Sequence, residues 1–421
     1  MDYLKALKKS DKKAALIILA EEKRQAEGLE MIPSENYVSR PVLEALGTVF
    51  TNKYSEGYPH KRYYGGNQVV DEMEILAQER AKKLFGVKFA NVQPYSGSPA
   101  NHAVYFALCQ PGDVTMGMDL ACGGHITHGL KVNFSGIYYQ PVYYPVDKKT
   151  NLIDHQVVEK LAKKHHPKLI WAGATAYPRL FDWKKFAEIA HSVGAYLACD
   201  IAHYAGLVAG GAYPSPVKYA DVITTTTHKT LRGPRGAMIM TNDEEIFKKI
   251  NKAVFPGLQG GPHNHQTAAI AVSLKEAQKA SFKKYAHQVV KNCKALAKEL
   301  KKYGFNLVTD GTDNHLILID LRNKKVAGKE VQEAMENVGI SLNKNAIPYD
   351  PASPFRPSGI RLGTPALTSQ GMKEKEMKMV AFLMNETVKA IGEKKESKKL
   401  KAIGKKVIKF CRQFPIPGLD G

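Results

Sequence analysis

Between about Asp71 and Leu231 the spacing of apolar positions alternates between two rhythms. Apolar residues three and four apart in Met73–Phe85, Pro99–Leu108 and Trp183–Val193 predict helices. The short apolar runs Phe89–Val92, Lys168–Ala174, Ala195–Cys199 and Val222–Thr225 predict strands between and after them. Strands alternating with helices of this length argue for an α/β domain with a mostly parallel sheet, and such a sheet carries its functional groups at the C-terminal ends of its strands. Phe282 to Tyr303 reads as a long amphipathic helix, with Phe282, Tyr285, Ala286, Val289, Cys293, Leu296, Leu300 and Tyr303 on one stripe and Gly304 as its stop. Beyond it, strand signals at Leu316–Asp320 and Ile360–Leu362 flank a helix signal at Gly328–Val338, which fits a compact α+β unit. The first 70 or so residues are rich in Pro, Gly, Tyr and Asn rather than in periodic apolars. The expected organisation is an N-terminal arm (1–70), a large domain (71–280), a connecting helix (281–303) and a small C-terminal domain (304–421).

Composition narrows the function classes. With 421 residues, 44% of them apolar and 24% charged, the chain reads as globular. No stretch approaches the apolar length that spans a bilayer, and Met1–Lys13 is lysine-studded without a hydrophobic signal core, so a cytoplasmic protein with no membrane partner is expected. Five scattered cysteines, none spaced C-x-x-C, indicate neither a disulfide framework nor a zinc site. The formal charge of +21 invites a nucleic-acid reading. Much of that excess sits on one segment, where ten Lys/Arg between Lys389 and Arg412 face only Glu393 and Glu396. No DNA- or RNA-binding motif accompanies it, so the segment is read as a solvated helix face.

The candidate chemistry centres on "TTTTHKTLRGPRG", Thr224–Gly236, where Lys229 follows a predicted strand. In "AYLACDIAH" another strand ends on Asp200, with His203 three residues later. An isolated Asp at a strand end commonly caps the next helix. One helix and one strand separate it from Lys229, a spacing that can bring two strand tips to one pocket. A lysine amine forms Schiff bases, and pyridoxal phosphate is the usual carbonyl when an Asp is at hand to hold its ring nitrogen protonated. "PYSGSPAN" follows the strand Phe89–Val92 and opens a helix, so Ser96, Gly97 and Ser98 offer donors to a phosphate at a positive helix end. Thr226 and His228 stand ready to add donors. In "ACGGHITHG" the glycines let backbone approach a flat ligand, and His125 is placed to stack on its ring.

Taken in order from Ser34 to Ala366, "SENY", "NKYSEGYPHKRYYGG", "NVQPYSGSPAN", "GGHITHG", "CDIAHYAGLVA", "TTTTHKTLRGPRG", "FPGLQGGP", "TDNH", "NKNAIP" and "SGIRLGTPA" resemble the signature segments of the serine hydroxymethyltransferases. The resemblance implies an aspartate-aminotransferase-type (fold type I) pyridoxal 5'-phosphate enzyme, homodimeric or a pair of dimers with shared active sites. It implies conversion of L-serine and tetrahydrofolate to glycine and 5,10-methylenetetrahydrofolate. By similarity Lys229 carries the cofactor, Asp200 holds its ring nitrogen, His125 stacks on the ring, Ser96, Gly97 and Ser98 bind phosphate, and Thr226 and His228 lie beside it. Thr175 and His203 would contact the phenolic oxygen and its surroundings, with Tyr54 and Gly261 arriving from the partner subunit. Arg361, assisted by Ser34, would clamp the substrate carboxylate. Glu56 and Tyr64 would handle the hydroxymethyl proton and the folate, with His203 and His228 among the catalytic groups. Leu120, Gly124, His125, Ile126, Tyr63, Tyr64, Asn345, Ser353, Pro354 and Phe355 match positions lining the folate site. Thr175 stands where serine is usual and keeps the hydroxyl. Two other functions compete: a folate-independent β-hydroxy-amino-acid aldolase with the same lysine, aspartate and arginine, and a nucleic-acid-binding protein using the basic surface.

Overall fold

Unbroken apolar runs become central strands when both faces of their sheet are covered. The computed structural model describes residues 4–419 and contains such a sheet. Its seven strands are β1 (Phe89–Asn91), β2 (Val114–Met118), β3 (Gln140–Tyr144), β4 (Leu169–Ala172), β5 (Tyr196–Asp200), β6 (Val222–Thr226) and β7 (Ala237–Thr241). Their spatial order is β1-β7-β6-β5-β4-β2-β3. β3, β2, β4, β5 and β6 pair in parallel, while β7 runs antiparallel to both β6 and β1. Every residue of β4, β6 and β7 is buried, because helices pack on both faces. β5 and β6 are neighbours with Asp200 opposite Thr224, so the chain leaves both strands at one edge of the sheet.

Three of the four consecutive threonines are explained by this position, while the buried Thr224 Oγ1 has no partner. β-branched residues suit a strand interior, and buried hydroxyls need partners. Thr225 Oγ1 donates to the Thr226 carbonyl, Thr226 Oγ1 to the Ala202 carbonyl at 3.3 Å, and Thr227 Oγ1 to the Pro234 carbonyl at 2.6 Å. The last of these staples the Gly233–Gly236 turn back onto the strand end and holds the loop that carries Lys229.

A second sheet lies beyond. β8 (Asn306–Leu307), β9 (Leu316–Asp320), β10 (Asn343–Asn345) and β11 (Gly359–Gly363) form an antiparallel sheet in the order β8-β9-β11-β10. The long helix Ala280–Lys302 serves both cores with one stripe. Phe282, Tyr285, Ala286 and Val289 pack into the core under the large sheet, and Cys293, Leu296, Ala297 and Leu300 into the core under the smaller one. Fully burying side chains of this kind is worth roughly 1.5–3 kcal/mol each, so the helix couples the two cores firmly. Gly304, at φ +71°, ends it in the left-handed region that a side chain would disfavour.

The arm differs from its expected character. Helices span Lys5–Ser10, Lys12–Glu27 and Arg40–Leu46, the second capped by Asp11, whose carboxylate accepts from the Ala14 amide. Leu16 and Ile17 on that helix are 56% and 62% exposed, so these two side chains are not spent on this chain's core. The short strand Leu29–Glu30 pairs in parallel with Ile340–Ser341 and ties the arm to the smaller core. Asn36 then reaches across to donate to the Lys229 carbonyl at 3.0 Å. Among the described residues no helix is long and apolar enough to cross a membrane.

Candidate active site

The exits of β5 and β6, the start of the helix Gly97–Leu108 and the turn after Lys229 enclose a cavity of about 320 Å³. Ser34, Ser96, Gly97, Ser98, His125, Thr175, Asp200, His203, Thr226, His228 and Lys229 all line it. Glu35, Asn101, Ala174, Ala202 and Arg235 complete the wall.

Asp200 is the most heavily supported side chain. Its Oδ2 accepts from Asn101 Nδ2 at 2.9 Å and from His128 Nε2 at 3.1 Å, and its Oδ1 accepts from the Ala202 amide at 2.9 Å. Burial alone raises a carboxyl pKa; here the His128 hydrogen bond and nearby positive charge outweigh it and hold Asp200 well below the usual range. An ionised carboxylate only accepts, which makes His128 Nε2 the donor. His128 is itself buried and stacked on Trp171, with ring centroids 4.9 Å apart. The result is a fixed anion at the cavity floor, able to hold a proton on a ring nitrogen.

Burial pushes the Lys229 ammonium down to about 8; Asp200 opposes the shift, and Arg361 and Arg235 add to it. A substantial neutral fraction near physiological pH makes it a nucleophilic amine. Arg361, in the middle of β11, is 7% exposed and is pushed down to about 10 by burial. Its Nε donates to Asn343 Oδ1 at 3.0 Å and its Nη1 to the Thr175 carbonyl at 2.8 Å. Among the described residues no carboxylate pairs with it. A buried guanidinium without a counter-ion is an anion site in waiting.

The far end of the cavity suits phosphate. Ser96 precedes the first turn of a twelve-residue helix, whose free N–H groups and dipole favour an anion. A Cβ on Gly97 would sit 2.8 Å from Thr226 Cγ2, so only glycine lets the helix start so close to β6. Arg235 contributes the cation. Thr226 faces the same space, but its hydroxyl proton is already committed to Ala202. His228 and His125 are both pushed down to about 3 by burial and are neutral. His125 Nδ1 accepts from the Thr127 amide at 3.2 Å, which sets the ring at the cavity edge. Gly124 is required beside it, because a Cβ there would lie 2.1 Å from the Met118 carbonyl oxygen.

Buried polar atoms left without partners point to an absent ligand. Thr175 Oγ1 and His228 Nδ1, both on lining residues, are such atoms. An amine nucleophile, a floor carboxylate, a phosphate-binding helix end and an unsatisfied hydroxyl together fit pyridoxal phosphate. Fold and cavity thus define a pyridoxal-phosphate enzyme of the aspartate-aminotransferase fold type. The family model "Serine hydroxymethyltransferase" matches residues 7–384. The chain is 56% identical over 423 residues to the serine hydroxymethyltransferase of Acidothermus cellulolyticus, covering 100% of this chain and 99% of the relative. It is 55% identical over 416 residues to that of Sorangium cellulosum, covering 99% and 97%. The chain belongs to the serine hydroxymethyltransferase family.

Other expected residues lie apart from this cavity. Tyr54, Glu56, Tyr63, Tyr64 and Gly261 are not among its lining residues. They gather instead at the surface, where the Tyr54 and Tyr64 rings meet edge-on at 5.4 Å and Tyr54 covers Gly261. Tyr54, Tyr63 and Tyr64 are 56%, 75% and 51% exposed. Leu120 and Ile126 are exposed beside His125, Asn345 sits on β10, and the Ser353-Pro354-Phe355 turn leaves Phe355 open to solvent. Asn101, His128 and Arg235 were not singled out by sequence. His128 stands only three residues after His125 in "GGHITHG", and that proximity was the signal available for it.

Proposed function

We propose that this chain is a cytoplasmic serine hydroxymethyltransferase, converting L-serine and tetrahydrofolate reversibly to glycine and 5,10-methylenetetrahydrofolate with release of water. The observation that carries the reading is the grouping of Lys229 and Asp200 in one cavity, with Arg361 bonded to its Thr175 wall. Lys229 would hold the cofactor's aldehyde carbon, Asp200 its ring nitrogen, and Ser96, Gly97, Ser98 and Arg235 its phosphate. When bound, pyridoxal phosphate supplies an electron sink conjugated to the substrate α-carbon.

The chain's own residues do the rest. Arg361 binds the serine carboxylate through a planar, two-pronged guanidinium held square by Asn343 and Thr175, with Ser34 adding a hydroxyl. His125 flanks the ring plane. Asp200, oriented by Asn101 and kept ionised against burial by His128 and nearby positive charge, would keep a proton on the ring nitrogen. The exposed Tyr54, Tyr63 and Tyr64, clustered with half-buried Glu56 and Gly261, support a homodimer in which this surface closes the partner's cavity. There Glu56 holds the proton of the hydroxymethyl group, and Tyr64 with Leu120, Ile126, Asn345 and the Ser353–Phe355 turn receives the folate. The division into arm, large domain, connecting helix and small domain is proposed with the boundaries given above, supported by one helix stripe feeding two cores.

Purified enzyme with added cofactor should cleave serine only when tetrahydrofolate is present, with glycine and methylenetetrahydrofolate appearing in equal amounts. Cleavage at the same rate without folate would replace this reading with the aldolase.

A further inference from the structure

Two buried histidines touch at the cavity wall. His203, three residues beyond β5, lines the cavity; His315 immediately precedes β9 and is fully buried behind it. His203 Nδ1 and His315 Nε2 are 3.1 Å apart. Both backbones are anchored: the His203 carbonyl accepts from Thr230 Oγ1 at 3.0 Å, and the His315 carbonyl from the Thr364 amide at 3.1 Å. The pair thus bridges the loop of Lys229 and the end of the strand that carries Arg361.

Burial, reinforced by the positive charges of Lys229 and Arg361, lowers both imidazoles, His315 to about 3, so both are neutral. Two neutral imidazoles in contact share a single N–H, which leaves two arrangements. In the first, His203 donates from Nδ1. His315 must then carry its only proton on Nδ1, a buried atom without a partner. In the second, His315 donates from Nε2, its unpartnered Nδ1 is a lone pair, and the His203 proton sits on Nε2. Orphaned buried N–H groups are rarer than under-satisfied acceptors, which favours the second. The electrostatics agree: an anion drawn in by Arg361 and Lys229 meets an N–H in the second arrangement and a repelling lone pair in the first.

We infer that His315 is a positioning residue that locks His203 in its Nε2–H tautomer, aiming a donor at the substrate carboxylate bound beside Arg361. The carboxylate part of this inference rests on the function proposed above; the tautomer part does not.

The test labels histidine with ¹⁵N in the cofactor-loaded enzyme and reads tautomers from long-range ¹⁵N–¹H correlations, assigned with His203→Gln. Wild-type His203 should be neutral and protonated at Nε2. His315→Phe should mix the tautomers and raise the KM for serine roughly tenfold or more, the order expected for one hydrogen bond to a charged group, with little change in kcat. His315→Gln, whose amide N–H can donate to His203 Nδ1, should restore both. A wild-type His203 protonated at Nδ1 overturns the inference, and that measurement stands even if His315→Phe does not fold. An unchanged serine KM in folded His315→Phe with mixed tautomers also overturns it. A wild type that fails to cleave serine with tetrahydrofolate would sink the functional reading instead, since the tautomer is read without turnover.

Discussion

Arg361→Lys isolates the carboxylate clamp from the rest of the site. The guanidinium spends Nε on Asn343 and Nη1 on the Thr175 carbonyl, and this grip orients the remaining N–H groups toward an incoming anion. A lysine at this depth cannot make both anchoring bonds and still present two parallel donors. One charge-assisted hydrogen bond is worth about 1.5–3 kcal/mol, so losing one prong corresponds to a roughly 10- to 150-fold weaker hold on the carboxylate. Burial beside Lys229 would also drive the new amine toward its neutral form, which pushes the effect to the upper end. Asp200, Lys229 and the phosphate-binding helix start make no hydrogen bond to Arg361, so cofactor absorbance should persist. The assay is steady-state kinetics over a wide serine range with tetrahydrofolate saturating, alongside the visible spectrum. An unchanged KM would move the carboxylate site elsewhere; loss of cofactor in parallel with KM would mean that Arg361 acts through the Thr175 segment rather than on substrate.

Borohydride reduction of the yellow holoenzyme should fix the cofactor on Lys229 alone; label on another lysine would defeat the central assignment. Because burial lowers Lys229 to about 8, and its neutral form is the nucleophile, capture of added pyridoxal phosphate by cofactor-free protein should speed up as pH rises through about 8. A rate that falls over this interval would refute that picture. Glu56→Gln and Lys229→Gln should each be nearly inactive, yet unfolding and reassembling them together at equal ratio makes about half the dimers mixed, each with one intact site. Recovery should approach roughly a quarter of wild type, whereas verified mixed dimers without activity would exclude a shared site.

What the sequence disclosed follows from where the physical signal is local. Leu316–Ile319 is an unbroken apolar run, and the strand covers it together with Asp320. The stripe from Phe282 to Leu300 repeats at helical spacing, and the helix extends only two residues further at its start. β2 and β3 carry weak strand signals because "VTMGM" contains a glycine and "QPVYY" a proline; neighbours on either side complete the burial of β2, while β3 lies at the sheet edge with β2 alone beside it and stays half-buried. The arm's second helix was obscured for the opposite reason, since exposed Leu16 and Ile17 broaden its apolar face beyond what one chain buries.

The same distinction separates the residues of the site. Asp200 and Lys229 could be read because one ends a strand and the other follows one, and parallel neighbours bring such positions to one edge of the sheet. Asn101 and His128 could not be, since they reach Asp200 from 99 and 72 residues away and only the folded chain places them there. Their effect is nonetheless chemical: Asn101 fixes the carboxylate's orientation, and the His128 hydrogen bond and charge are the largest of the contributions that oppose burial and keep Asp200 ionised. Glu56 and Tyr64 are the converse case. Their motif is plain in sequence, yet in one chain Tyr64 is exposed and Glu56 half-buried, both outside the cavity that their proposed chemistry would serve. In the proposed homodimer this surface of exposed tyrosines beside Glu56 would meet the partner's cavity, which is why the mixed-dimer experiment bears on the reaction and not merely on assembly.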